Sequence, residues 1–307
     1  MLQPSGPLTI FTPLGIRFWD PVRDTQVSDN LKVTARPLGR LGPVTTASRT
    51  ASGVYAFNGL AGLHDIEFPK GNTVFERSPP EAKRFVVEVS DRLRRFLPLA
   101  FCVDLPLPYK GVLFNGVGCE TILSGRPPTW LKMDRPPGLC LFSAPTRAAS
   151  PGLAVVRATL VEGKTGHSAS HAVLEVKVKQ GKSWFGVADA RGCIAVIFPY
   201  PKFAAHLSLS PPATHQIPLY EHQWDVEIRV RYSPYSLTFP PHSKMPDLRS
   251  VLNQSPGIIC TTWPESPVAG SYEESLSTAL TFGQELILQT KGLFETELWI
   301  DTVTSPP

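Results

Sequence analysis

Charge is scarce in this chain. Asp, Glu, Lys and Arg make up 18% of its 307 residues, against roughly 25% in an average soluble domain. The net charge of +4 is small and scattered, which excludes the basic footprint of a nucleic-acid binder. Low charge fits extra buried surface, some of it hidden against other subunits; an ordinary loop-rich monomer is the competing explanation. The five cysteines, at 102, 119, 140, 193 and 260, are odd in number and lack C-x-x-C spacing, so no disulfide framework is expected. Cys102 and Cys193 lie in apolar strand-like runs, where a thiol serves as a small core residue.

Long apolar runs are missing too. None approaches the roughly 18 residues of a membrane-spanning helix. The N-terminal Met1-Leu2-Gln3-Pro4-Ser5-Gly6-Pro7 has no basic stretch leading into an apolar one, so synthesis in the cytoplasm without a signal peptide is expected. G-x-S-x-G, P-loop and G-x-G-x-x-G motifs are absent. No pair of carboxylates stands out for glycoside chemistry. His167 and His171 are spaced like helical zinc ligands, but no glutamate accompanies them and a Gly-rich approach argues against a helix. They read as a polar loop. Neither an enzyme nor a cofactor is expected.

Proline is plentiful, with 32 residues, about twice the usual 5%. It interrupts helices and is confined to turns, strand starts and edges, so the composition predicts short strands joined by shaped loops. Alternating runs mark strands at Leu31–Ala35, Phe85–Val89, His171–Val178 and Trp224–Tyr232. Others are expected around Tyr55–Phe57, Phe96–Leu105, Gly152–Leu160 and Gly192–Phe198. Residues 8–105 and 139–240 each read as a β-sandwich, separated by a Pro/Gly-rich linker or bracing loop at 106–138. Residues 241–307 form an extension with a short helix at Asp247–Gln254. Within it, Ser271-x-x-Glu274 fits a helix-capping box, and Leu280–Thr290 and Glu297–Val303 read as a strand pair around Lys291-Gly292.

The two halves also echo each other. Gly53 heads Val-Tyr55-Ala-Phe57, Gly192 heads Cys-Ile-Ala-Val, and at equal distance downstream come Val87-Glu-Val89 and Val226-Glu-Ile228. Upstream, Val33-x-Ala35 answers Val156-x-Ala158. This suggests a duplicated domain.

Two charged clusters stand out. Arg92, Arg94 and Arg95 read as strand-end charges that block edge pairing, with an intersubunit salt bridge as the alternative. Asp189-Ala-Arg191-Gly192 reads as a surface β-turn, with anchoring of a neighbouring subunit second. The tryptophans at 130, 184, 224, 263 and 299 are spread out, as core or interface residues are.

The run Val33-Thr-Ala35, Ser52-Gly53-Val-Tyr55-Ala-Phe57 and Leu60-Ala-Gly62-Leu63 resembles the carboxypeptidase regulatory-like, or transthyretin-like, β-sandwich. That resemblance implies turn glycines at 53 and 62 and inter-sheet Tyr55 and Phe57. The second copy keeps Gly192 but lacks the aromatic pair. Arg95-Phe96-Leu97-Pro98, Val103-Asp104-Leu105-Pro106, Leu141-Phe-Ser-Ala-Pro-Thr-Arg147 and the Asp189–Gly192 turn are similar to runs in sandwich proteins of phage-tail-like contractile injection systems. This second resemblance implies a non-enzymatic structural part at a baseplate, spike or cap. Its partners would be other protein subunits of a large, releasable particle, with copies of itself among them. The alternative is a carbohydrate- or cell-surface-binding module of adhesin type.

Overall fold

The computed structural model describes residues 12–39, 42–68, 82–105, 138–179, 181–201, 218–263 and 271–303. The fold is all-β and of sandwich type, with several sheets and, among the described residues, two short α-helices. Before residue 106 the chain forms β1 (Leu14–Ile16), β2 (Phe18–Asp20), β3 (Thr25–Val27), β4 (Leu31–Pro37), β5 (Thr45–Thr46), β6 (Ser48–Arg49) and β7 (Tyr55–Phe57). Helix α1 (His64–Glu67) comes next, then β8 (Lys83–Asp91) and β9 (Leu99–Leu105).

Strand β4 buries Leu31, Val33 and Ala35 and turns Lys32 outward, the period-two pattern of a half-buried strand. Its sheet runs β5-β4-β8-β9, with Val33 opposite Val89, Ala35 opposite Val87 and Val87 opposite Phe101. A second sheet, β1-β7-β6, sends Leu14, Tyr55 and Phe57 into the same apolar cluster. Tyr55 meets Phe18 edge to face, with ring centroids 5.5 Å apart. Phe57 is fully buried, worth about 1.5–3 kcal/mol in removed apolar surface. Tyr55 and Phe57 are both buried in this cluster.

Beyond the undescribed part of the proline-rich stretch, β10 (Leu139–Cys140) pairs in parallel with β2 in a small sheet ordered β10-β2-β3. The later strands are β11 (Leu153–Glu162), β12 (Val173–Val178), β13 (Ser183–Val187), β14 (Cys193–Pro199) and β15 (Gln223–Arg231). Helix α2 (Leu248–Leu252) precedes β16 (Gly257–Thr262), β17 (Ser271–Glu273), β18 (Leu276–Thr281), β19 (Leu286–Ile287) and β20 (Leu298–Thr302). One sheet runs β13-β12-β15-β18; the other runs β14-β11-β20-β16-β17, with β19 also on β11. Their side chains share a second apolar cluster rich in Val, Ile and Leu.

The pairings refine the internal echo. In β5-β4-β8-β9 and β13-β12-β15-β18 the two central strands pair antiparallel. Val33 and Ala35 face Val89 and Val87, while Val176 and Val178 face Ile228 and Val226. Val176-x-Val178 thus lies beside β15 as Val33-x-Ala35 lies beside β8. Val156 and Ala158 lie in β11, which pairs with β14 as β1 pairs with β7.

In the segment 241–307, the short helix is present. The Asp247 carboxylate caps it by accepting from the Arg249 amide at 2.8 Å, and also accepts the Cys102 amide at 2.9 Å. Two other expectations are corrected. Ser271–Glu273 is an exposed strand on β16, because a free strand edge supplies partners where no apolar helical stripe exists. Strands β18 and β20 lie in different sheets and do not pair with each other: β18 joins β15, and β20 joins β11 and β16.

Two smaller clusters bridge the main ones. Val22 packs with Val155, Ala195 and Ile197, and Leu97 packs with Val173, Val187 and Val251. From α2, Leu248 and Leu252 enter the first cluster.

Candidate binding groove

Strand β8 ends at Asp91, and this carboxylate organises the turn into β9. It accepts from the Leu93 amide at 3.2 Å and the Arg95 amide at 2.8 Å. The Arg95 guanidinium donates to it through Nε at 3.0 Å and Nη2 at 3.2 Å. Arg95 also reaches the Asp29 carboxylate at 3.3 Å and the Asp29 carbonyl at 3.1 Å, tying the β8–β9 turn to the β3–β4 turn. The Arg92 amide adds a 2.9 Å bond to the Asn30 carbonyl. Burial acts to raise the Asp91 carboxyl; the hydrogen bonds from Arg95 and Leu93, together with the Arg95 charge, outweigh it and hold the group below the usual carboxylate range. Arg94, between them, adopts the left-handed φ of 55°, which disfavours a residue bearing a Cβ.

The run Arg95–Pro98 and the run Leu141–Arg147 meet here. Phe96 bridges Ser143, the Leu97 amide donates to the Phe142 carbonyl, and the Ala144 amide to the Arg95 carbonyl, both at 2.9 Å. The Arg147 guanidinium lies 4.8 Å from the centroid of buried Phe96, with Arg95 5.4 Å from the same ring. Cation–π attraction suits a ring held between guanidinium groups. Arg147 donates twice to Asp20, at 3.1 and 2.5 Å, and once to Ser143 Oγ at 3.1 Å. Both side chains of this pair are almost wholly buried. Arg157 of β11 donates to the carbonyls of Pro145 and Arg147 and to Glu285. The segment from Ser143 to Arg147 is thus pinned from both sides.

These elements border a groove of about 600 Å³ lined by four arginines, at 23, 94, 95 and 147, against Asp20 and Asp29. Thr25, Gln26 and Val27 of β3 line it as well. Arg23 and Arg94 are exposed and carry no ion pair to another described residue. The groove can hold an anionic group. It places Arg94 and Arg95 from the sequence cluster on its wall; Arg92 is exposed beside them. Asp20, Asp29, Asp91 and Arg147 did not stand out in the sequence as site residues. Asp20 in Asp20-Pro21 and Asp91 at a strand end were the available signals.

Asp189 and Arg191 lie apart, at the β13–β14 turn. The Asp189 carboxylate accepts the Arg191 and Cys193 amides at 2.8 and 2.9 Å, while the Arg191 guanidinium, largely exposed, stands 3.4 Å away. Asp189 organises the turn and Arg191 faces solvent. Gly192 has φ of 78°, and a Cβ there would strike the Leu160 carbonyl oxygen. Gly53 has φ of 74°, with Gln26 and Ser28 side chains nearest. Gly62 also has a positive φ, and Lys83 Nζ donates to its carbonyl at 2.7 Å.

His167 is exposed and His171 partly buried. Burial pushes the His171 imidazole down, with Asp189 opposing. Among the described residues no group of three or more His, Cys, Asp or Glu is set to hold a metal, and no helix is long and apolar enough to cross a membrane. Cys102, Cys140 and Cys193 are partly buried and Cys260 is buried. Burial, then the nearby Asp247, pushes the Cys102 thiol up to about 12, which keeps it unreactive. Trp184 stacks on Phe198 and Trp263 packs against Trp299. Trp130 and Cys119 lie outside the described residues. Comparison with protein-family models finds no match, and comparison with curated proteins finds none.

Proposed function

We propose that this chain is a non-enzymatic structural component of a contractile injection (phage-tail-like) particle, acting at its baseplate, spike or cap. In this reading two related sandwiches serve as a rigid spacer and bind neighbouring subunits through surface loops. The observation that carries it is the meeting of Arg95-Phe96-Leu97 with the Leu141–Arg147 run, the two stretches similar to such proteins. Their junction is fastened by the buried Asp20–Arg147 pair, to which Arg157 adds a clamp from the second half. Buried ion pairs contribute little net stability; in this reading the pair serves to fix one arrangement of the junction. A part that transmits force needs such fixed geometry. The common strand order of the two four-stranded sheets supports the duplication.

The test is sedimentation of the tagged chain from a lysate of its native host. The chain should travel with ring-bearing, sheath-containing particles. Recovery only as a free monomer would count against the proposal. A glycan-dependent rise in Tm without co-sedimentation would favour the adhesin-type alternative.

A further inference from the structure

We infer that the groove beside β3 binds an extended acidic segment of a neighbouring protein, taken up as an added antiparallel or parallel strand. Strand β3 pairs with β2 on one side and with no described strand on the other. Three consecutive β3 residues, Thr25, Gln26 and Val27, line the groove. Successive side chains of a strand point to opposite faces, so lining by all three places the strand's edge, and not one face, against the opening. Open edges accept further strands through main-chain hydrogen bonds.

The charges select the occupant. Asp20 is held by Arg147, and Asp29 and Asp91 share Arg95. Arg23 and Arg94 remain exposed on the wall. Arginine forks bind carboxylates in bidentate fashion. Leu93, also on the wall, is 56% exposed and offers an apolar contact between charges. A segment alternating acidic and apolar residues matches this surface. The left-handed φ of Arg94 is locally costly, and such outliers persist at binding sites when the surroundings impose them. Here Asp91 imposes it through its bonds to Leu93 and Arg95.

The source of the segment rests on the proposed function; the chemistry of the groove does not. The test is a random-peptide display library panned on the full chain, with bound peptides then measured against variants. Enriched peptides should alternate acidic with β-branched or aromatic residues, and should slow amide exchange at Thr25–Val27. Each should bind about tenfold more weakly to Arg23→Ala and to Arg94→Gly. Glycine at position 94 suits the left-handed backbone, so loss of binding there cannot be misfolding. N-methylation of one of the two alternate sets of peptide amides, the one facing β3, should abolish binding. Enrichment of non-acidic peptides, no enrichment, tolerance of N-methylation in both sets, or unchanged affinity in both variants would overturn the inference. Full competition by inorganic sulfate would do the same by marking a bare anion site. The library needs no particle: acidic binders without co-sedimentation would sink the proposed function and spare the groove.

Discussion

The two four-stranded sheets have matching strand orders, yet the glycines of the turns near them face different neighbours. Near the first, side chains set the geometry: Asp91 gathers Leu93 and Arg95, Arg95 reaches Asp29, and Gly53 faces the side chains of Gln26 and Ser28. Near the second, a carboxylate again sets the turn, but the glycine is packed against strand backbone. Asp189 accepts two amides, and Gly192 sits against the Leu160 carbonyl. Side chains can rotate away from an intruding atom and strand backbone cannot. The first region should therefore tolerate substitution that the second does not.

The largest effect is expected where the regions join. Asp20→Ala leaves Arg147 buried without its carboxylate and should cost about 4 kcal/mol in denaturant unfolding. Asp20→Ala with Arg147→Met should recover most of that loss, since an apolar pair carries no stranded charge. Next, Gly192→Ala combines a left-handed φ with a backbone clash and should cost about 3 kcal/mol. Gly53→Ala should cost less, about 2 kcal/mol, because the left-handed penalty acts there while the Gln26 amide can rotate away and only the Ser28 Cβ must shift slightly. Equal losses at the two glycines would break the comparison.

Asp91 adds a pH dependence to the first region. Its carboxyl is held below the usual range, so its contribution is present above the unfolded value near pH 4 and is lost as pH falls through the folded value. Asp91→Asn should lower Tm at neutral pH and flatten the acid limb of Tm against pH. The smallest effect has the opposite sign. Arg94→Gly should raise stability by about 1 kcal/mol while weakening the groove.

Legibility in the sequence divides along the same line. Strands with strict alternation, such as Leu31–Ala35 and Trp224–Tyr232, were readable because one face is buried and period two leaves a mark. The helix at 248–252 was readable from Asp247 after Pro246. Ser271–Glu273 was not: a capping pattern is local, while its strand state comes from the edge of β16. Likewise β18 and β20 look like a hairpin in sequence, and partners far along the chain draw them into different sheets. Tyr55, Phe57 and the turn glycines were visible because each has a local steric role. The groove was half visible. Arg94 and Arg95 form a cluster in sequence, but Asp20 and Arg147 are distant in the chain and meet only after folding.

The central claim is that the two cores act as one rigid unit, joined through Asp20, Arg147 and the bridging clusters around Val22 and Leu97. Hydrogen exchange under mild denaturant, with mass spectrometry on peptides from β8 and β15, tests this most directly. Both strands should exchange in a single cooperative opening, and Asp20→Ala should separate them into two. Independent opening of β8 and β15 in the unsubstituted protein would contradict it.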